Sequence, residues 1–155
     1  MQDYSFITIW KLNAPLEKVW NEILNAEQWP EWWKGVVKVE TVEAGESNGM
    51  NSVRIFTFKS ALPYKLSFHS RVTAVEYLQR IEGLAFGELD GQGIWTLTTT
   101  GETTVVRYDW MVKTTRWWMN ILAPIARPAF EWNHDVIMKW GGKGLANRLG
   151  CELLP

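Results

Sequence analysis

The chain has 155 residues, of which 46% are hydrophobic and 21% charged, and this composition predicts one globular domain over residues 1–155. The net charge of −1 excludes a strongly basic surface, so we expect no nucleic-acid partner. The single cysteine, Cys151, excludes an internal disulfide and a cysteine-based metal cluster.

The sequence shows neither a signal peptide nor a membrane-spanning segment. The first ten residues, MQDYSFITIW, contain no basic region followed by an apolar core, as a signal peptide would. No apolar run approaches the roughly 18 residues of a membrane span. We therefore expect a cytoplasmic protein.

The N-terminal part of the chain predicts a strand followed by two helical segments. Residues 4–11 are rich in β-branched and aromatic side chains, which favour a strand. A helix is expected to begin at Asn13 as its capping residue, with Pro15 in the first turn, and to end near Asn25. A short helical turn over 31–33 and a strand over 36–44 follow.

Residues 50–115 predict antiparallel strands joined by short loops. Two of these strands alternate clearly, so that one set of side chains faces inward in each. The inward sets are Tyr64, Leu66, Phe68, Ser70 and Val72 in the first strand, and Val106, Tyr108, Trp110 and Val112 in the second. Between them, we expect a turn at Asp90-Gly91; the alternative is one strand with a bulge, because Gly87, Gly91 and Gly93 share a face with Trp95.

The C-terminal part predicts one long helix over about 128–149, preceded by an apolar segment, 116–128, that Pro124 and Pro128 interrupt. Charged residues at four-residue spacing mark its solvated side: Glu131, Asp135, Lys139 and Lys143. Together with the strands, this order of elements predicts an α+β protein with helices against one face of an antiparallel sheet.

The opposite side of this helix is unusual for a buried face, because it carries Asn133, His134, Gly141 and Gly144. A glycine costs about 1 kcal/mol relative to alanine inside a helix, and an unpaired buried polar group costs about 1–3 kcal/mol. We favour a backbone group or a tyrosine as the partner of His134 over a ligand. A cavity that contains water satisfies the same requirement.

Arg54 shares a strand face with Phe56 and could anchor an acidic group of a ligand. The favoured interpretation is that its side chain reaches solvent. The 11 tryptophans predict either dense packing or the lining of a space for a ligand.

Several chemistries lack support in the sequence. No GxSxG motif is present to supply the serine of a catalytic triad, and no glycine-rich loop precedes a helix to hold a phosphate. The two histidines, His69 and His134, lie on different elements and make no metal-binding spacing. We expect neither a metal nor a cofactor.

Five segments give the chain a resemblance to a known family: NAPLEKVWNEI and EQWPEWWKGV, then GELDGQGIWTL, VVRYDWMVKT and FEWNHDVIMKWGGKGLANRL. Their order over nearly the whole chain resembles the START/Bet v 1-like superfamily, in its polyketide cyclase/dehydrase and lipid-transport branch. The resemblance implies a helix-grip fold. In this fold a curved seven-stranded antiparallel sheet wraps around a long C-terminal helix, and two short helices follow strand 1.

The resemblance also implies an elongated hydrophobic cavity between the last helix and the sheet, where small residues leave room and polar ones orient a ligand. Because Pro124 and Pro128 interrupt the approach to the helix, the entrance is expected to differ from that of other members. The expected ligand-binding residues are Phe68, Ser70, Trp95, Leu97, Tyr108, Trp110, Asn133, His134, Ile137, Met138 and Gly141, with Arg54 and Phe56 as additions.

Three functions are compatible with such a cavity. The leading one is binding of a hydrophobic or aromatic small molecule, such as a lipid or a polyketide-like compound. The first alternative is a cyclase or dehydratase with His134 as general acid/base and Tyr108 as donor. The second is a peripheral membrane lipid carrier, in which 116–119, with Arg116, Trp117 and Trp118, and 121–130 form an interfacial lid. The sequence assigns no oligomeric state.

Overall fold

The computed structural model describes residues 3–60, 62–115 and 117–155. The elements are β1 (Asp3–Leu12), α1 (Leu16–Leu24), a 3-10 turn (Ala26–Gln28), α2 (Trp29–Trp32), β2 (Val36–Glu43), β3 (Val53–Phe58), β4 (Leu66–Glu76), β5 (Arg80–Gly87), β6 (Leu89–Thr100), β7 (Thr103–Thr114), α3 (Trp117–Leu149) and β8 (Leu153–Leu154).

The strands form one curved antiparallel sheet in the order β2-β3-β4-β5-β6-β7-β1-β8. The predicted helix-grip architecture is confirmed, with the long C-terminal helix against the sheet and two short helices after β1. An eighth strand, β8, adds to the seven predicted ones at the edge of the sheet. It pairs Leu153 and Leu154 with the end of β1. The chain end after α3 is thereby fixed to the sheet edge.

Period-two alternation places the core on one face of the sheet, as predicted for β4 and β7. In β1, Tyr4 and Trp10 are buried whereas Ile7 and Ile9 are more than half exposed. Strands β1 and β7 pair without interruption from Asp3↔Lys113 to Leu12↔Thr104, so the inward sets of both strands stay in register.

Helix α1 begins later than predicted. Pro15 is the N-cap residue, and no side chain caps the helix, so the capping role predicted for Asn13 is wrong. Instead, the Pro15 carbonyl accepts hydrogen bonds from the N–H groups of Lys18 and Val19. The buried residues of α1 are Val19, Trp20 and Ile23.

The turn predicted at Asp90-Gly91 is also misplaced. Both residues lie inside β6, paired with Lys113 and Val112 of β7. The chain reverses at Gly87, the last residue of β5, whose φ of +110° favours glycine because it has no Cβ. The alternative, a strand that runs on through the glycines, holds from Leu89 onward.

Helix α3 begins at Trp117 and runs through both prolines, whereas a start near residue 128 was predicted. A proline inside a helix removes one hydrogen-bond donor and crowds the carbonyl four residues earlier, which a long helix tolerates when other contacts hold it. One such contact ties its first turn to β7: the Thr114 hydroxyl donates to the Asn120 side-chain oxygen at 2.6 Å.

Indole rings hold the C-terminal half of α3 in place. The Trp33 Nε1–H donates to the Ile137 carbonyl at 2.8 Å, and the Trp10 Nε1–H donates to the Met138 carbonyl at 3.1 Å. The two rings meet edge to face at 5.4 Å. Sequentially distant segments are thus joined through consecutive carbonyl groups of one helix.

The glycines of α3 are explained by close packing. A Cβ on Gly141 would lie 2.5 Å from the Trp33 ring, and one on Gly144 would overlap the Trp32 carbonyl oxygen. A larger residue at either position would fit only if the helix moved away from these neighbours. At these two positions, glycine permits contact and does not leave empty volume.

Candidate ligand-binding cavity

A cavity of about 190 Å³ lies between α3 and the concave face of the sheet. For comparison, an apolar protein cavity of about 150 Å³ is large enough to hold benzene. The 11 tryptophans therefore do not fill the interior. Aromatic side chains line most of the cavity: Tyr4, Phe6, Trp29, Trp33, Phe56, Phe58, Tyr64, Phe68, Trp95, Tyr108, Trp110 and Phe130.

The structure brings together most of the residues predicted to form the site. Those that line the cavity are Arg54, Phe56, Phe68, Ser70, Trp95, Tyr108, Trp110, Asn133, His134, Ile137 and Met138. They come from β3, β4, β6, β7 and α3. Sequentially remote segments thus contribute to one wall, as the helix-grip arrangement requires.

Two predicted residues, Leu97 and Gly141, lie elsewhere. Leu97 faces inward on β6, paired with Val106, but at 3% exposure it belongs to closed core. Gly141 is covered by the rings of Trp33 and Trp10. The prediction that Gly141 borders the cavity is therefore wrong, because indoles occupy the volume that its missing side chain leaves.

Several lining residues were missed at the level of sequence. Tyr64, Leu66 and Val72 share the face of Phe68 and were assigned inward, so alternation could have placed them in the wall. Phe6 has the same signal in β1. No signal in the sequence marks Trp29 and Trp33 as cavity residues, because their positions depend on how α2 closes one end of the sheet.

His134 lies on α3 in the cavity wall, with its side chain 15% exposed. Its ring stacks on Phe6 with 3.9 Å between ring centroids. Among the described residues, neither ring nitrogen has a hydrogen-bond partner. The Asp135 carboxylate is 3.9 Å from Nδ1, which is too long for a hydrogen bond. The predicted backbone or tyrosine partner is thus wrong.

Burial sets the charge state of His134. It lowers the pKa of the imidazole to about 4, and the nearby Asp135 only partly opposes this shift. The ring is therefore neutral at neutral pH, with one nitrogen able to donate and the other able to accept. The neighbouring Asn133 also lines the cavity, and its side-chain oxygen is buried without a partner in the described structure.

Tyr108 extends from β7 across the floor of the cavity. Its ring stacks on Trp95 at 4.0 Å and on Trp110 at 5.8 Å between centroids. Burial raises the pKa of its hydroxyl far above the ordinary value. The group is therefore protonated at any physiological pH and can donate a hydrogen bond.

Arg54 lines the cavity from β3 with its side chain 13% exposed, so the interpretation of a solvent-directed arginine is wrong. Its Nε donates to Glu27 at 2.7 Å, and its Nη1 lies 3.3 Å from the Ser52 hydroxyl. Burial acts to raise the pKa of Glu27, but hydrogen bonds from Arg54 and Thr41 outweigh it and lower the pKa. The arginine charge is therefore already compensated.

In the described ranges, no group of three histidine, cysteine, aspartate or glutamate residues is placed to hold a metal ion. No helix in those ranges combines the length and the apolar character needed to cross a bilayer.

A curved antiparallel sheet that wraps around a long C-terminal helix, with an apolar cavity between them, defines the helix-grip class of proteins. The sequence profile of the family described as "Polyketide cyclase / dehydrase and lipid transport" matches residues 12–135. The chain belongs to this family. No curated protein is similar enough in sequence to be matched.

Solved structures share the fold at low sequence identity. TTHA0849 from Thermus thermophilus is 17% identical, with 94% of this chain and 99% of that one covered and a TM-score of 0.74. The Zhui aromatase/cyclase from Streptomyces sp. R1128 is 15% identical, with 96% and 94% covered and a TM-score of 0.74. Ara h 8.0201 is 13% identical, with 94% and 99% covered and a TM-score of 0.64.

Proposed function

We propose that this protein binds a hydrophobic or aromatic small molecule in the cavity between α3 and the sheet. The observation that carries the proposal is the cavity itself: about 190 Å³, lined mainly by aromatic rings. A space with so much aromatic wall favours a guest that is mainly apolar, because burial of apolar surface drives binding. Family membership supports the same function.

Entry of a ligand requires access from solvent. Lys59 is exposed and also lines the cavity, at the end of β3 where the chain leaves the sheet. The connection between β3 and β4 therefore borders the cavity on its solvent side. Ser60 and Tyr64, from the same connection, also line it.

The test compares binding with the cavity open and filled. Calorimetric titration of a panel of one- and two-ring aromatic compounds identifies a ligand of the wild-type protein. Ser70→Phe adds a ring inside the cavity and should weaken binding at least tenfold, because the guest and the new side chain compete for one volume. Thr98→Phe adds the same ring on an exposed position of β6 and is the matched control.

Two outcomes contradict the proposal. The first is that no compound of the panel binds, and that nothing travels with the protein when it is purified from its own host for native mass spectrometry. The second is that Ser70→Phe and Thr98→Phe bind a ligand equally well, which would place the binding site outside the cavity.

An exposed apolar stripe on α3 favours a second candidate, a carrier that docks on membranes. Trp117, Ile121 and Ile125 follow at four-residue spacing and are 72%, 67% and 83% exposed. Apolar side chains in such a row can enter the interfacial region of a bilayer. Of the lid predicted from sequence, Arg116 and the side chain of Trp118 lie outside the described part.

Sedimentation with anionic lipid vesicles tests this candidate. The wild-type protein should co-sediment, and Ile125→Ser should reduce the bound fraction severalfold, because burial of apolar area drives interfacial binding. Ile9→Ser, at a 54% exposed position on the opposite side of the sheet, is the control. A wild-type protein that stays in the supernatant excludes the carrier function.

The enzymatic alternative rests on His134 beside the cavity. A histidine with a pKa of about 4 is neutral at pH 7, but it is a weaker proton acceptor than a base with a pKa near the working pH. The same burial suits a role in ligand binding. If the protein cyclises a polyketide chain, His134→Gln should lower turnover at least about 100-fold, whereas a binding protein changes only its affinity.

A further inference from the structure

Two glycines lie side by side on the cavity floor. Gly83 of β5 and Gly93 of β6 are directly paired across the antiparallel sheet, and both line the cavity. Directly opposed positions of this kind bring Cβ sites to about 4.5–5.5 Å from each other. Where side chains would meet, the two glycines instead leave room for the side chains of the neighbouring strands β4 and β7.

A hydroxyl group leans over each glycine. The Ser70 Oγ lies 2.9 Å from the point where a Cβ on Gly83 would stand. The Tyr108 hydroxyl lies 2.5 Å from the same point on Gly93, so the ring of Tyr108 can occupy its place only because residue 93 is glycine. Within the described residues, neither hydroxyl has a hydrogen-bond partner.

The charged groups of the cavity lining are already compensated or exposed. Arg54 is paired with Glu27 at 2.7 Å, and Glu82 accepts from Arg80 at 2.7 Å. Lys59 is exposed. Apart from Lys59 on the solvent side, the cavity offers an ionic ligand no unpaired counter-charge in return for its lost hydration, which disfavours charged groups deep in the cavity.

We propose that the Ser70 and Tyr108 hydroxyls, which lie over the paired Gly83 and Gly93, bind an oxygen atom of a neutral aromatic ligand of one or two rings. This inference rests on the proposed binding function and specifies its ligand. Tyr108 donates to the ligand oxygen, and Ser70 donates or accepts. The ligand ring lies against the aromatic side chains of the cavity, which include Phe68 and Trp110 with 5.4 Å between their ring centroids. A cavity of about 190 Å³ sets the limit on ring number.

Three probes of similar size separate oxygen recognition from apolar binding: naphthalene, 2-naphthol and 2-naphthoate. Their affinities are measured by isothermal titration calorimetry for the wild type and for Tyr108→Phe, which removes only the hydroxyl. Tyr77→Phe removes the hydroxyl of a 70% exposed tyrosine and is the matched control. Thermal melting confirms that each variant is folded.

We expect 2-naphthol to bind the wild type about tenfold more tightly than naphthalene, and 2-naphthoate to bind more weakly than 2-naphthol. Tyr108→Phe should abolish the advantage of 2-naphthol and leave the affinity for naphthalene unchanged, and Tyr77→Phe should change neither. The proposal is overturned if 2-naphthol and naphthalene bind the wild type equally, or if Tyr108→Phe weakens both alike. In those cases the cavity still binds apolar molecules. If none of the probes binds, the binding function and this inference fail together.

Discussion

The buried imidazole of His134 should make stability depend on pH in a defined window. Burial lowers the pKa of His134 in the folded protein to about 4, compared with an ordinary value of 6.5. As the pH falls below about 6.5, His134 takes up a proton in the unfolded chain, whereas in the folded protein it becomes protonated only near pH 4. The contribution of neutral His134 is therefore complete above pH 6.5 and is lost progressively toward pH 4.

The size of the effect follows from the difference between the two pKa values. At about 1.4 kcal/mol for each pH unit, the wild type should lose roughly 3 kcal/mol of unfolding free energy through this residue between pH 7 and pH 4. His134→Gln cannot titrate and should lack this part of the loss. Urea denaturation of both proteins at several pH values gives the difference, in which contributions from other titrating groups cancel.

Proton NMR provides a direct measurement of the same pKa. His69→Gln leaves a single imidazole, so the remaining histidine signal belongs to His134. Its chemical shift should change near pH 4. A midpoint close to 6.5, or parallel losses of stability in the wild type and His134→Gln, would refute the reasoning.

Two further predictions concern the stability of the fold. Gly144→Ala places a methyl group against the Trp32 carbonyl oxygen, which is backbone and cannot rotate away. Its unfolding free energy in urea should fall by about 2 kcal/mol, although alanine favours a helix, and an unchanged or higher value would contradict the packing described for α3. Thr104→Val removes the donor of a buried 2.7 Å hydrogen bond to the Ala14 carbonyl and should cost about 1–3 kcal/mol. Thr104→Ser keeps this bond, so equal melting temperatures of the two variants would argue against it.

The inward faces of the strands were predictable because they depend on a local pattern. Alternation with period two placed Phe68 and Ser70 on one face of β4, and Tyr108 and Trp110 on one face of β7, and all four line the cavity. The long C-terminal helix was also predictable, because its charged residues recur at four-residue spacing and the family resemblance implies the same helix. A pattern of this kind needs no knowledge of distant contacts.

The features that the sequence did not predict depend on contacts between remote residues. Gly141 was assigned to the cavity, but Trp33, more than 100 positions earlier, covers it. The absence of a partner for His134 likewise appears only once Phe6 and α3 are in place. The start of α3 was missed because the two prolines favoured a helix that begins near residue 128. The hydrogen bond from Thr114 to Asn120, which holds the first turn, cannot be seen in the sequence.

The indole N–H groups of Trp10 and Trp33 bind consecutive carbonyls of α3 and so fix the register of the helix against the sheet. Sliding the helix by one residue, or turning it about its axis, would break the bonds from Trp10 and Trp33 at the same time. The two bonds thus fix the position of the C-terminal half of α3 along its axis and its rotation. Under the proposed binding function, making room for a longer guest by moving this half of the helix would cost both hydrogen bonds.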